Sequence, residues 1–71
     1  MLMEITDVWG TILQPYIGRH VQYATLDAPD ALLYSGIVTT DPEYDDEICI
    51  CDDVTHTSTY MGLVSKINIE D

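Results

Sequence analysis

Residues 32–53 read LLYSGIVTTDPEYDDEICICDD. In 32–40, β-branched and aromatic residues surround a central glycine, Gly36. That composition predicts a strand, and the glycine marks a strong bend or bulge within it. Asp41 and Pro42 break the run. From Glu47 to Cys51 isoleucine alternates with cysteine, so Ile48 and Ile50 point one way and Cys49 and Cys51 the other. Apolar side chains on both sides predict a strand covered on both faces. Seven carboxylates flank it: Asp41, Glu43, Asp45, Asp46, Glu47, Asp52 and Asp53.

Outward from this stretch the rest of a small β domain follows. Upstream, Val21, Tyr23 and Thr25 alternate with Gln22 and Ala24 in RHVQYATLD, a period-two strand, and Asp27, Pro29 and Asp30 supply a turn. Residues 6–14, TDVWGTILQ, predict a short helix or a helical turn, with Gly10 unfavourable to a longer one. Thr6 or Asp7 would cap it, Val8, Trp9, Ile12 and Leu13 would share a face, and Pro15 and Gly18 would end it. Trp9, Ile12 and Leu13 would then cover one open end of the sheet. Downstream, 52–58 is a polar loop, and 59–64 and 66–69 predict two more strands joined by a tight turn near Ser65. Five strands at about ten-residue spacing predict a mainly β fold, a small, strongly bent antiparallel barrel with a short N-terminal helix; an open bent sheet accommodates the same strands. At 71 residues the chain makes one domain, 1–71, with the helix at 6–14 and the barrel at 19–69. So small a core leaves stability marginal.

Charge is the outlier. Arg19 and Lys66 stand against thirteen acidic residues, giving a net charge of −11. The β-branched and aromatic runs argue against disorder, so these charges belong to the surface of a folded domain. Nucleic-acid binders need Lys or Arg to neutralise phosphates, which excludes direct nucleic-acid binding and adhesion to anionic membranes as expectations. A basic protein surface or a divalent cation is the natural complement. MLMEITD has neither the basic nor the long apolar region of a secretory signal, and no stretch approaches the ~20 apolar residues of a membrane span. Cys49 and Cys51 lie near the upper limit of disulfide reach in an extended strand. Reduced thiols and a cytoplasmic setting are therefore expected.

The order of helix, bent strand with central glycine, acidic turn and two closing strands resembles the Sm-like and SH3-like small β-barrels. Tyr34-Ser-Gly36-Ile-Val38 is similar to the bent second strand of the Sm-like family, Asp41 through Asp45 to Ile48 to its acidic loop, and Ile17-Gly-Arg-His-Val21 to the entry into its first strand. The resemblance spans residues 8–69. It implies the fold and a homo-oligomer or ligand-binding ring assembled through strand edges. The Arg-Gly pair with which that family holds RNA has no counterpart in Met61-Gly-Leu-Val-Ser-Lys-Ile-Asn-Ile69, so the resemblance does not extend to RNA.

Other constellations point to structure. Cys49-x-Cys51 with His56 supplies at most part of a zinc site, completed only by recruiting Asp52 or His20. Two small buried residues on a core strand account for the cysteines. Carboxylates around a thiol raise its pKa, the wrong direction for a nucleophile. Asp41, Glu43 and Asp45 are the nearest approach to divalent-cation ligands, but a calcium loop needs glycine and glutamate where Asp46 and Asp52 stand. No dedicated metal site, cofactor motif or catalytic order is expected. The chain therefore reads as a non-enzymatic acidic protein that binds a basic, nucleic-acid-binding protein surface. Small acidic proteins of phages and mobile elements that mimic DNA or inhibit nucleases are the analogous functional class. Asp41, Glu43, Asp45, Asp46, Glu47, Asp52 and Asp53 would make the contacts, with Tyr44 as an aromatic anchor. A divalent-metal-binding module is the remaining alternative.

Overall fold

The bent strand and the Ile-Cys-Ile-Cys strand form the longest pairing in the sheet, running from Gly36 opposite Asp52 to Asp41 opposite Glu47. A computed structural model describes residues 1–70. Its strands are β1 (Leu2–Glu4), β2 (His20–Thr25), β3 (Tyr34–Asp41), β4 (Glu47–Asp52), β5 (Ser58–Tyr60) and β6 (Val64–Ile69). They make one antiparallel sheet in the order β1-β6-β2-β3-β4-β5. Three short 3-10 helices, Thr11–Tyr16, Pro42–Tyr44 and Met61–Leu63, connect them.

At Gly36 the structure shows a close approach of two strands, with no bulge in the register. Residues 34–37 of β3 pair with β2 and residues 36–41 with β4, so Gly36 and Ile37 are flanked on both sides. A methyl group at Gly36 would lie 2.3 Å from the carbonyl oxygen of Cys51. Only glycine allows β4 that close. The register shift lies elsewhere, between Ala24 and Thr25 in β2.

Val21 and Tyr23 from β2, Val38 from β3, Ile48 and Ile50 from β4, and Val64, Ile67 and Ile69 from β6 enclose the core with Leu13 and Met61. Each full burial of such a side chain contributes about 1.5–3 kcal/mol of transfer free energy. Cys49, on the opposite face from Ile48 and Ile50, is also fully buried. Its cross-strand neighbours are Thr39 and Tyr60. The double-sided reading of that strand therefore holds at Cys49, while Cys51 is half-buried.

The mainly β expectation stands, with corrections of detail. There are six strands, and the sheet is open: β1 and β5 are its edges. The additional strand, β1, pairs with β6 through Leu2–Asn68, Met3–Ile67 and Glu4–Lys66. No α-helix forms over 6–14; only a 3-10 helix, Thr11–Tyr16, overlaps its second half. Asp7 caps a turn, accepting N–H bonds from Trp9 at 2.9 Å and Thr11 at 3.2 Å, and Gly10 takes a left-handed conformation at φ 63°. A right-handed helix cannot run through that residue. The 3-10 helix begins only at Thr11 and carries Pro15 inside it. Of the residues expected to cover the sheet end, Leu13 is buried in the core, whereas Trp9 is 65% exposed and Ile12 is also exposed. The last two strands divide at Met61–Leu63 instead of at Ser65. Met61 packs beneath Gly10, where a Cβ would come within 2.3 Å of its Cγ. Ser65 lies within β6, its hydroxyl donating to the Pro29 carbonyl at 2.7 Å.

Candidate functional site

The acidic stretch divides between the two ends of the β3–β4 hairpin. At one end, Asp41 closes β3 and Pro42 opens a single turn of 3-10 helix, with the Asp41 carboxylate accepting the Glu43 N–H at 3.0 Å. Asp45 and Asp46 follow with φ 55° and 57°, the left-handed region that aspartate tolerates better than most residues. The Asp46 N–H then closes the loop on the Asp41 carbonyl at 3.0 Å. Glu43, Tyr44, Asp45 and Asp46 are exposed, while Asp41 and Glu47 are half-buried. The second Asp41 oxygen accepts the Tyr60 hydroxyl at 2.6 Å. That bond to a carboxylate pushes the Tyr60 phenol up to about 12. Tyr60 meets Tyr44 edge to face, with ring centroids 5.7 Å apart, and Tyr44 keeps 58% of its surface exposed.

The opposite end is wired inward. Asp52 is only 5% exposed, and the six residues of β4 hold it about 17 Å of extended chain away from Glu47. One of its oxygens accepts the N–H groups of Val54 at 2.8 Å and Thr55 at 3.0 Å, and the other the Tyr23 hydroxyl at 2.5 Å. The Tyr23 bond, followed by the two backbone bonds, lowers the Asp52 pKa. Burial, and then the same carboxylate, pushes Tyr23 up to about 12. Asp52 also anchors the 53–57 loop through its backbone, its N–H donating to the Thr57 carbonyl and its carbonyl accepting from the His56 N–H. Asp53 is exposed. It accepts His20 Nε2 at 2.6 Å and the Ser35 hydroxyl at 2.9 Å, and these bonds, His20 first, lower its pKa. The other ring nitrogen of His20 meets the Glu70 carboxylate.

The cations lie on other strands. Lys66 in β6 pairs with Asp30, and Arg19, just before β2, donates to the Glu70 carbonyl at 2.7 Å. Among the described residues no ion pair reaches Asp41, Glu43, Asp45, Asp46 or Glu47. The hairpin thus brings together the acids of 41–47, together with Tyr44, and separates them from Asp52 and Asp53. Among the described residues no three His, Cys, Asp or Glu side chains stand where they could hold a metal ion. Asp41, Glu43 and Asp45 are no exception, Asp41 being committed to Tyr60 and the Glu43 N–H. Burial pushes the Cys49 thiol up, away from reactivity.

A feature not anticipated from the sequence lies beside Asp52. A hollow of about 490 Å³ opens there, lined by Tyr23, Leu33, Tyr34, Asp52, Val54 and Thr59 among others. Tyr23 and Tyr34 stack within it, centroids 5.4 Å apart. Two signals were present in the sequence. Asp52 has the parity of Ile48 and Ile50, which places it on the core face, and Leu33 and Val54 are apolar residues beside turns. Among the described residues no helix is long and apolar enough to cross a membrane. No family model, curated protein or solved structure matches the chain.

Proposed function

We propose that the chain is a non-enzymatic acidic binding protein whose 41–47 hairpin end engages a basic, nucleic-acid-handling protein surface, in the manner of a DNA mimic or inhibitor. The observation that carries this reading is the distribution of charge. Glu43, Asp45 and Asp46 are exposed without a cation, while both cations of the chain are engaged elsewhere. A surface of one sign steers an oppositely charged partner in and rejects like-charged ones. Tyr44 beside these acids offers the aromatic contact that interfaces favour. The setting is cytoplasmic, where the two free thiols persist. The scaffold is a small, barrel-like curl of β2 to β6.

Affinity capture from a lysate of the native host, at low and at moderate salt, tests this function. The expected result is a basic nucleic-acid-handling protein that elutes as salt rises. Captured RNA or DNA contradicts it.

A second reading is self-association, favoured by the two open sheet edges, β1 and β5. Exposed edges present unpaired N–H and C=O groups to another strand. Size-exclusion chromatography with light scattering separates the readings: a stable ring supports self-association, a monomer or dimer the acidic binder.

A further inference from the structure

The hollow at the Asp52 end is separate from the acidic loop. Asp52 is the buried charged residue of the described chain, and its three hydrogen-bond donors are a phenol and two amides, all neutral. No Lys, Arg or His lies within ion-pair distance of it among the described residues. A carboxylate set back from solvent attracts a cation at its open side more strongly than a fully hydrated one does. It also has room for one. A carboxylate offers about four lone-pair directions, and the oxygen facing Tyr23 accepts from that single hydroxyl, at 2.5 Å.

The walls match the rest of a long basic side chain. Tyr34, stacked on the buried Tyr23 and 44% exposed, presents aromatic surface, which attracts a guanidinium or ammonium group. Leu33 and Val54, 71% and 83% exposed, flank the mouth where an aliphatic stem would lie. The volume of about 490 Å³ falls within the ~300–1,000 Å³ of ligand pockets. An anion would be repelled by Asp52, and a purely apolar group would cover the carboxylate without meeting its charge.

We infer that this hollow accepts one arginine or lysine side chain of the partner protein, its cationic head meeting Asp52 and its stem lying against Tyr34 and Leu33. The inference rests on the basic-partner reading and gives it a second contact, at the opposite end of the hairpin from 41–47. One partner segment spanning both ends would be held by diffuse attraction at the loop and by a specific fit at the hollow.

The test is a backbone-amide NMR titration of the whole chain with N-acetyl-arginine amide and N-acetyl-lysine amide, beside the leucine and glutamate analogues. The expected result is that the two basic probes shift Tyr34, Val54, Thr55 and Thr59 and the other two do not. Val54→Lys, a change at an exposed rim position that leaves the fold intact, weakens binding about tenfold by placing a like charge at the mouth. Asp52→Asn, which keeps the shape and removes the charge, abolishes the preference for basic probes. Shifts confined to 41–47 overturn the hollow and leave the acidic-loop reading standing. Equal response to leucine amide, or no loss in Val54→Lys, also overturns it. A hollow that takes arginine amide in a chain that captures no basic protein supports the site and sinks the loop reading instead.

Discussion

At the 41–47 end of the β3–β4 hairpin, Asp45 and Asp46 stand in solvent on left-handed backbone, with no cation beside them. At the 52–57 end, Asp52 is buried under a phenol and two backbone amides, and Asp53 is held by His20 and Ser35. The residue type is the same, and the environment assigns it opposite work. Where the carboxylate meets donors it organises the fold, because removing it would orphan buried groups. Where it meets only water and other carboxylates, it contributes field and little stability. A run of like charges in a sequence is therefore not one surface until strand parity has divided it.

The largest expected effect lies at the wired end. Asp52→Ala leaves the Tyr23 hydroxyl and two amide groups without their acceptor and costs about 3 kcal/mol, read by urea unfolding. Glu43→Gln, at an exposed loop position on ordinary backbone, changes the unfolding free energy by no more than ~0.5 kcal/mol. Equal losses at the two positions would break the distinction between the ends.

Acid should act through the same groups. Asp52 and Asp53 have folded pKa values lowered below the ordinary carboxylate value. Their stabilisation is fully present above the unfolded value of about 3.9 and is lost as pH falls through the lower, folded value. Thermal melting between pH 7 and pH 2 should show this loss. Asp52→Asn flattens that acid limb, whereas neutralising the 41–47 loop leaves it in place.

A smaller effect is expected at Asp41, the one acid of the loop with a phenolic partner. Tyr60→Phe removes a 2.6 Å hydrogen bond and costs about 1 kcal/mol in urea unfolding. The smallest belongs to the triple change Glu43→Gln, Asp45→Asn, Asp46→Asn. It shifts stability by no more than ~0.5 kcal/mol in either direction, because it removes repulsion without orphaning a donor. A loss of several kcal/mol there would show that the loop is wired after all.

The period-two patterns of Val21–Thr25, of the residues around Gly36 and of Ile48–Cys51 made β2, β3 and β4 legible in the sequence. Gly36 was legible because only a close approach or bend explains glycine amid β-branched residues. β1 was not, since a three-residue edge strand is shorter than any alternation that could announce it. The helix expected at 6–14 failed at Gly10, where packing over Met61 imposes a positive φ that a helical spacing of apolar residues does not reveal. The division of the last two strands at Met61–Leu63 was hidden for a related reason, because burial of Met61 requires a turn in an otherwise strand-like run. Glu43, Asp45 and Asp46 are exposed as their composition suggests, whereas Asp41 and Glu47 are half-buried. Asp52 was grouped with them by charge, although its alternation with Ile48 and Ile50 set it inside. The hollow itself was not read from the sequence, because the side chains that form it come from separate strands and loops, although the parity of Asp52 and the apolar Leu33 and Val54 beside turns were signals of it.

The most direct test is the ionic-strength dependence of the association constant between this chain and a captured basic protein, for wild type and for the triple loop variant side by side. Recognition by the free carboxylates of 41–47 predicts a steep fall with added salt in the wild type, and weaker binding with a shallower slope in the variant. Identical slopes and affinities for the two proteins would contradict it.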